Sequence, residues 1–484
     1  MKPLTLDEVR QAIHGYRLAA GSPVTVSTLS TDTRTAAPGD LFVAIRGRNF
    51  DGHVFLPQAA QAGCVAAVVH LDGEPRPEVA RRFRGGVIGV PDTVKALGDL
   101  AGRQRATMRA VVVGVTGSNG KTTVKRMIDH ILSKRLRGAC SPKSFNNQIG
   151  VPLTLLEADG GEDYVVCELG TNAPGEIAAL TAIARPNVAV ITSVSHTHLA
   201  GLGSLDKVIA EKASILARMP GDALAVVWAD NPTLVRLAGS YMPAAGKQAG
   251  GRRMVTFGQA DGADLRMTGY QSTGRGQRFQ INGREWVELG LPGRHNASNA
   301  LAAIAVARRF GFSREDAAAA LADFKGVAMR LEWMDLPTGA RPPAAGRPDQ
   351  AGLGGITLIN DAYNANPASM LAAAQVLSDV AARRRVLVAG DMGELGEQAE
   401  ELHLGTGRQI ADTRVDLLIG VGPLGRYIAE GAARAGLETA EFDTIEAAGE
   451  ALARTLQPGD AVLIKASRAA RMERIVDYIK AAWS

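Results

Sequence analysis

The sequence predicts an α/β protein of three domains: a small N-terminal α/β domain, a central P-loop ATPase-like domain on a mostly parallel sheet, and a C-terminal Rossmann-like doubly wound domain. Three observations carry the prediction. The chain has 484 residues, and such a length divides into roughly two to four domains, each with its own core. Short apolar, β-branched runs alternate with helix-like runs from about residue 106 onward, as βαβ units on parallel sheets require. The third observation is Gly114-Val-Thr-Gly-Ser-Asn-Gly-Lys-Thr-Thr123, which follows the apolar run 111–113 and precedes the helix-like run 124–133. Strand, glycine turn and helix N-terminus in that order form a phosphate cradle, because backbone N–H groups and the helix dipole converge on an anion.

The first domain, 1–105, opens with an amphipathic helix over 1–16. A strand at 24–29 leads into Ser30-Thr31-Asp32-Thr33-Arg34. Pro38-Gly39-Asp40 turns into a strand at 41–45, a polar loop runs to His53, and a helix (55–62) and a strand (66–69) follow. In the second domain, 106–326, strands are expected at 110–115, 164–169, 188–192 and 224–228, hairpin strands within 265–287, and an alanine-rich helix at 296–309. In the third, 327–484, strands at 356–360, 386–389, 417–419 and 461–464 are separated by helices. The Pro/Gly/Ala-rich stretch 336–355 reads as a surface insertion. No repeat of roughly 20–50 residues is visible.

The composition, 46% hydrophobic and 21% charged, is that of a soluble globular protein. A net charge of +5 with no long Lys/Arg stripe argues against nucleic acid as a partner and suits an anionic small substrate. Cys64, Cys140 and Cys167 are scattered and odd in number, which points to neither a disulfide framework nor a structural zinc site but to a reducing compartment. No apolar run approaches the ~18–20 residues of a membrane span, and the N-terminus lacks a signal-type stretch. The expectation is a cytoplasmic protein with no membrane partner, working as a monomer.

In the cradle, Lys121 reaches the β/γ-phosphates of a nucleoside triphosphate and the Thr122 hydroxyl binds Mg²⁺. The loop departs from the common Gly-x-x-x-x-Gly-Lys spacing, since Val115 stands where the first glycine belongs. Glu168 ends a predicted strand, where ligands collect in parallel sheets, and reads either as a Mg²⁺ ligand with Thr122 or as half of a surface ion pair. His198, past the strand 188–192, is a candidate for a second metal or a hydrogen-bonding loop residue, and His196 is its neighbour and rival. Lys212 on its helix reads as an ordinary solvated lysine. Asn296 contacts a purine edge or, like Ser298, caps the following helix. Asp361, in Asn360-Asp-Ala-Tyr-Asn-Ala-Asn-Pro367, binds ribose or magnesium or belongs to a plain turn. Lys465 and Arg468 hold a carboxylate or open a helix.

Taken together, Gly114–Thr123, Glu168, His198-Leu-x-x-x-Gly-Ser204, Lys212 and Gly293-x-x-Asn296 resemble the ATP-dependent Mur ligases of bacterial cell-wall synthesis. Ser144-Phe-Asn-Asn-Gln-Ile-Gly-Val-Pro152, the 360–367 stretch and Gly390-Asp-Met-Gly-Glu-Leu-Gly396 resemble the branch that joins D-alanyl-D-alanine to a UDP-N-acetylmuramoyl-tripeptide. The resemblance implies a C–N bond-forming ligase of peptidoglycan synthesis with ATP and Mg²⁺. It implies Lys121, Lys212, His198 and Arg330 as catalytic residues, and Gly117, Ser118, Asn119, Gly120, Lys121, Thr122, Thr123, Asn296, Arg330, Asp361 and Asn364 as nucleotide contacts. Metal ligands would be Thr122, Glu168, His198 and Lys212, the last as a CO₂-derived carbamate. Ser30, Thr31, Asp32, Arg34, Arg46, Gly47, Asp51 and His53 would bind the UDP end of the substrate. Asn146, Asn147, Thr171, Asn366, Lys465, Ser467 and Arg468 would supply the remaining substrate contacts. Two positions depart from the family pattern: Ala466 replaces a usual glycine, where a methyl can crowd a backbone approach, and Ser214 replaces a glutamate two residues after Lys212. A P-loop ATPase or kinase, a ligase adding a single amino acid and a non-catalytic binding protein are the alternatives. The Asp-Asn-Pro-Arg motif of the diaminopimelate-adding relative is absent from the sequence.

Overall fold

The computed structural model describes residues 1–47, 50–141, 143–242, 253–337 and 355–483. Its strands form a two-stranded ribbon and three larger sheets of five, nine and six strands.

The N-terminal helix is shorter than its amphipathic pattern suggests. It spans Leu6–Ala12, with Thr5 and Glu8 forming a capping box, and His14 at φ 51° ends it. Tyr16–Ala20 is then a strand, antiparallel at the edge of a sheet whose other strands, Gly86–Val90, Ala66–His70, Leu41–Val43 and Leu29–Ser30, run parallel.

The nine-stranded sheet holds the phosphate loop. Val111–Thr116 lies between Tyr164–Glu168 and Val188–Ile191, all parallel. Register pairs Glu168 with Val115 and Ile191 with Thr116. The phosphate loop, Glu168 and the segment leading to His198 therefore leave the sheet from one edge. The following helix, Lys121–Leu132, buries Val124, Met127, Ile128, Ile131 and Leu132, a 3.6-residue stripe facing the sheet. Each such side chain contributes about 1.5–3 kcal/mol of transfer free energy. The expected hairpin region resolves into Leu265–Ser272, Gln277–Ile281 and Trp286–Leu289, the sheet's antiparallel end.

The six-stranded sheet repeats the plan. Gly355–Asn360, Asp460–Lys465, Arg384–Ala389, Leu417–Val421 and Thr439–Phe442 are parallel. Glu332–Pro337 is antiparallel to Gly355–Asn360, with Pro337 opposite Gly355. The ends of the expected 336–355 insertion are thus strand residues, and 338–354 lie outside the described residues. Asn360 pairs with Ile464 and Ala389 with Lys465, so Asp361, Lys465 and Gly390 share one edge.

Cys64 and Cys167 are buried and Cys140 partly so, all as free thiols. Burial pushes Cys64 up to about 11 and the other two to about 12, so all three stay protonated and unreactive near neutrality.

Candidate active site

A cavity of about 1150 Å³ lies between the nine-stranded and six-stranded sheets, lined by residues from both. Its floor is the phosphate loop. Gly117 has φ 148° and Gly120, the N-cap of the Lys121 helix, has φ 82°. A Cβ on Gly117 would stand 2.0 Å from Thr192 Oγ1, and one on Gly120 2.3 Å from Asn299 Oδ1. Both positions demand glycine for conformation and for space. Thr192 and Asn299 therefore leave room only for glycine at positions 117 and 120. Lys121 folds back over the loop, its Nζ donating to the Gly117 carbonyl at 2.8 Å, and burial lowers its pKa. Its ammonium is in the cradle before any phosphate arrives.

Thr122 Oγ1 donates to Glu168 Oε2 at 2.8 Å, and Asn146 Nδ2 donates to the other carboxylate oxygen at 3.0 Å. Glu168 is 1% exposed and is no surface ion-pair residue. Hydroxyl and carboxylate oxygens are hard donors that suit Mg²⁺. Among the described residues no group of three or more His, Cys, Asp or Glu gathers to hold a metal; one carboxylate, a hydroxyl and substrate phosphates are the usual magnesium set.

Sequence reasoning passed over Lys125. It is fully buried, donates to the Ser141 and Lys143 carbonyls and to Ser141 Oγ at 2.9, 2.7 and 2.8 Å, and stands 3.8 Å from Glu168. A helical lysine reads as solvated, but the signal was present: Lys125 lies four residues after Lys121, on the same helix face.

The six-stranded unit supplies the roof. Arg330 stacks on Tyr363 at 4.1 Å and donates from Nη2 to Thr122 Oγ1 at 3.0 Å, which places a guanidinium at the phosphate loop. Lys465 Nζ donates to Asp361 Oδ2 at 2.6 Å and to the Asn364 carbonyl at 3.0 Å, so Asp361 is held by a cation. Asn366 caps the helix Pro367–Ser378 and faces Asn119. Ser467 accepts from Gly393 N, and Arg468 pairs with Glu473. The Ala466 methyl is buried in the apolar core of the six-stranded unit, away from the cavity, so the departure from glycine does not narrow the cleft.

His198 lines the cavity, with Nδ1 against the Glu394 carboxylate. Lys212 is 1% exposed. Burial and the nearby Lys121 ammonium push its pKa well down, and among the described residues its ammonium has no hydrogen-bond acceptor. The solvated reading of Lys212 is thereby corrected. Ser214 donates to the Glu211 carbonyl, and Glu211 accepts from Gly175 N and Ile177 N at 2.8 Å each and from Thr171 Oγ1.

Asn296 sits inside the helix Arg294–Arg309, whose N-cap is Gly293. Neither Asn296 nor Ser298 caps it. Asn296 Nδ2 donates to the Pro292 carbonyl at 2.7 Å and its Oδ1 accepts from Asn299, so it shapes the turn at one end of the cavity.

The residues expected to meet the UDP end lie in the N-terminal unit, Ser30 on an edge strand and the others beyond its strands, outside this cavity's lining. Ser30 and Asp32 exchange local hydrogen bonds, and Asp32, held near 2 by Arg34, pairs with it at 2.5 Å. Arg46 bridges Asp51 and Asp72, Gly47 N donates to the Phe50 carbonyl, and His53 Nε2 accepts from His70 N at 2.9 Å. Asn147 Oδ1 accepts from Ile149 N and Gly150 N at the mouth of the cavity.

Three segments match known domains: residues 25–105 the Mur ligase family catalytic domain, 115–307 the Mur ligase middle domain, and 346–468 the Mur ligase glutamate ligase domain. The chain is 35% identical to the UDP-N-acetylmuramoyl-tripeptide–D-alanyl-D-alanine ligase of Bacillus subtilis, over 93% of this chain and 92% of that one. It is 34% identical to the Escherichia coli ligase of the same name, over 98% of each. Its structure superposes on MurF from Acinetobacter baumannii with a TM-score of 0.83 at 30% identity, covering 99% of both chains. It superposes on MurF from Thermotoga maritima in complex with ADP at 0.78 and 26% identity, covering 94% of this chain and 97% of that one.

Proposed function

Because this chain belongs to the Mur ligase family, we propose that it is the ATP-dependent ligase that joins D-alanyl-D-alanine to UDP-N-acetylmuramoyl-tripeptide, giving ADP, phosphate and the UDP-linked pentapeptide of peptidoglycan synthesis. The observation that carries this reading is the cavity between the two larger sheets. It puts the phosphate loop, Glu168, His198, Arg330 and Asp361 around one space, in a chain that aligns over nearly its whole length with ligases of that name.

A carboxylate does not form an amide unaided, because oxide is a poor leaving group. A substrate carboxylate oxygen attacks the γ-phosphorus of ATP, the bond to the β-phosphate oxygen breaks, and an acyl phosphate and ADP result. The dipeptide's amine then attacks the acyl carbon, loses a proton, and phosphate departs. The first step brings two anions together, so the chain must offset their repulsion. Lys121 exchanges the Gly117 carbonyl for phosphate oxygens, and Arg330 adds a second cation at Thr122. Thr122 and Glu168 would hold Mg²⁺, which would supply further positive charge at the phosphates. Burial and the nearby Lys121 ammonium push the Lys212 pKa well down, which favours the neutral amine that adds CO₂ with loss of a proton; a carbamate formed there would be an anionic metal ligand. Water would hydrolyse the acyl phosphate, and the six-stranded unit closing over the loop excludes it.

Residues 1–105 serve the UDP end, 106–326 the nucleotide, and 327–484 the dipeptide. Lys465, Ser467 and Arg468 lie at the edge where its carboxylate would be met. Among the described residues no helix is long and apolar enough to cross a membrane.

An isotope experiment tests the chemistry. With ¹⁸O in the tripeptide's terminal carboxylate, the label appears in released phosphate, and Lys121→Ala lowers turnover by at least roughly 10²–10³-fold. Phosphate free of label would refute the acyl-phosphate route.

A further inference from the structure

We propose that Glu394 is a positioning residue for His198: carried by the six-stranded unit, it accepts the Nδ1 proton of His198 and so turns the Nε2 lone pair toward the cavity for a metal ion. The kinetic part of this proposal rests on the ligase reading; the geometry does not.

The two residues are 196 positions apart and come from different sheets. His198 is 16% exposed and Glu394 55%; only the histidine lines the cavity. The Glu394 carboxylate meets His198 Nδ1, and among the described residues His198 Nε2 has no hydrogen-bond partner. Both backbones are left-handed, with φ 55° at His198 and 63° at Glu394. Non-glycine residues enter that region at a steric cost, and such conformations cluster where side chains must be aimed. The main chains also meet, since Ala200 N donates to the Glu394 carbonyl at 3.1 Å.

The loop that carries Glu394 is anchored on its own side. Asp391 Oδ1 accepts from Leu424 N and Gly425 N at 2.9 Å each. Met392 N donates to His403 Nε2 at 2.9 Å, and Gly393 N to Ser467 Oγ at 2.6 Å. A rigid loop therefore presents one carboxylate to one imidazole across the interface. A histidine that donates one ring N–H to a carboxylate keeps the other nitrogen as a lone-pair ligand. His198 is held in that tautomer only while the six-stranded unit sits in this position, which ties docking of that unit to readiness of the metal site.

The test uses the full chain labelled with ¹⁵N-histidine, free of nucleotide and metal, well above the ordinary imidazole pKa of about 6.5. The His198 signals are assigned by their loss in His198→Asn. The expected wild-type spectrum shows the Nδ1–H tautomer, and Glu394→Ala shifts it to Nε2–H, the form free imidazole side chains favour. Turnover in Glu394→Ala falls roughly 10–100-fold, mainly in kcat with KM for ATP far less changed, and Glu394→Gln, whose amide oxygen can still accept, recovers much of it. Circular dichroism checks that the alanine variant melts with the wild type. An Nε2–H or imidazolium wild-type signal, or Nδ1–H surviving in Glu394→Ala, would overturn the proposal. Wild-type protein without ligase turnover would count against the ligase reading instead, leaving the spectra to decide this one.

Discussion

Asn119 in the phosphate loop and Asn366 at the start of the helix Pro367–Ser378 face each other amide to amide. Asn366 Nδ2 donates to Asn119 Oδ1 at 2.7 Å, and Asn119 Nδ2 donates back to Asn366 Oδ1 at 3.3 Å. Asn366 was expected at the substrate; its amide is engaged with the loop that cradles phosphate. Replacing it by serine preserves the helix cap, since serine caps about as well as asparagine, but serine is too short to reach Asn119. Asn366→Ser should therefore keep its cap but unfold in urea about 1–2 kcal/mol more easily than wild type, the worth of the two lost amide–amide hydrogen bonds. Urea unfolding measures this, and stability within about 0.3 kcal/mol of wild type would show the pair to be idle.

Lys125 makes a prediction of a different kind, because it touches no substrate position. Its ammonium is fully buried and satisfied by two carbonyls and a hydroxyl. In Lys125→Met those acceptors lose their donor, and Glu168 loses the cation 3.8 Å away. The expected cost is roughly 2–4 kcal/mol in urea unfolding. A loss under about 0.5 kcal/mol would mean that water replaces the ammonium without penalty.

The lowered pKa of Lys212 fixes the sign of a pH effect. A base whose folded pKa lies below its unfolded value of about 10.5 binds fewer protons folded than unfolded, so folding loses stability as pH falls from that value toward the folded pKa. Lys212→Met removes the loss. In CO₂-free buffer the variant should be more stable than wild type near neutrality, by roughly 1–4 kcal/mol, with the gap closing toward pH 10.5. Urea unfolding across that range measures it. With ¹³C-bicarbonate, wild type should show a carbamate resonance that Lys212→Met lacks.

How much of this was legible follows from which residues interact locally. The Gly114–Thr123 loop was readable because strand, glycines and helix cap are contiguous, and the Glu168–Thr122 contact followed from strand-end logic, since parallel strands leave one edge together. Lys125 carried only a weak signal, its place four residues after Lys121 on the same helix face, because its burial is set by the Ser141 and Lys143 carbonyls. Glu394 was quoted only as part of a motif; its partner lies 196 residues away. The N-terminal helix was overextended because His14 and Gly15 interrupt an apolar pattern that continues into the strand Tyr16–Ala20. Gly86–Val90, a strand inside its sheet, was passed over because its two glycines dilute the β-branched signal.

Mass spectrometry of the nucleotide-sugar product identifies the reaction. The purified chain is given ATP, Mg²⁺ and UDP-N-acetylmuramoyl-tripeptide with D-Ala-D-Ala, D-Ala, L-Lys or D-Glu as acceptor. D-Ala-D-Ala alone should be joined, adding the mass of two alanyl residues to the tripeptide and releasing phosphate in equal amount. Addition of a single amino acid, or phosphate release that needs no acceptor, would contradict this assignment.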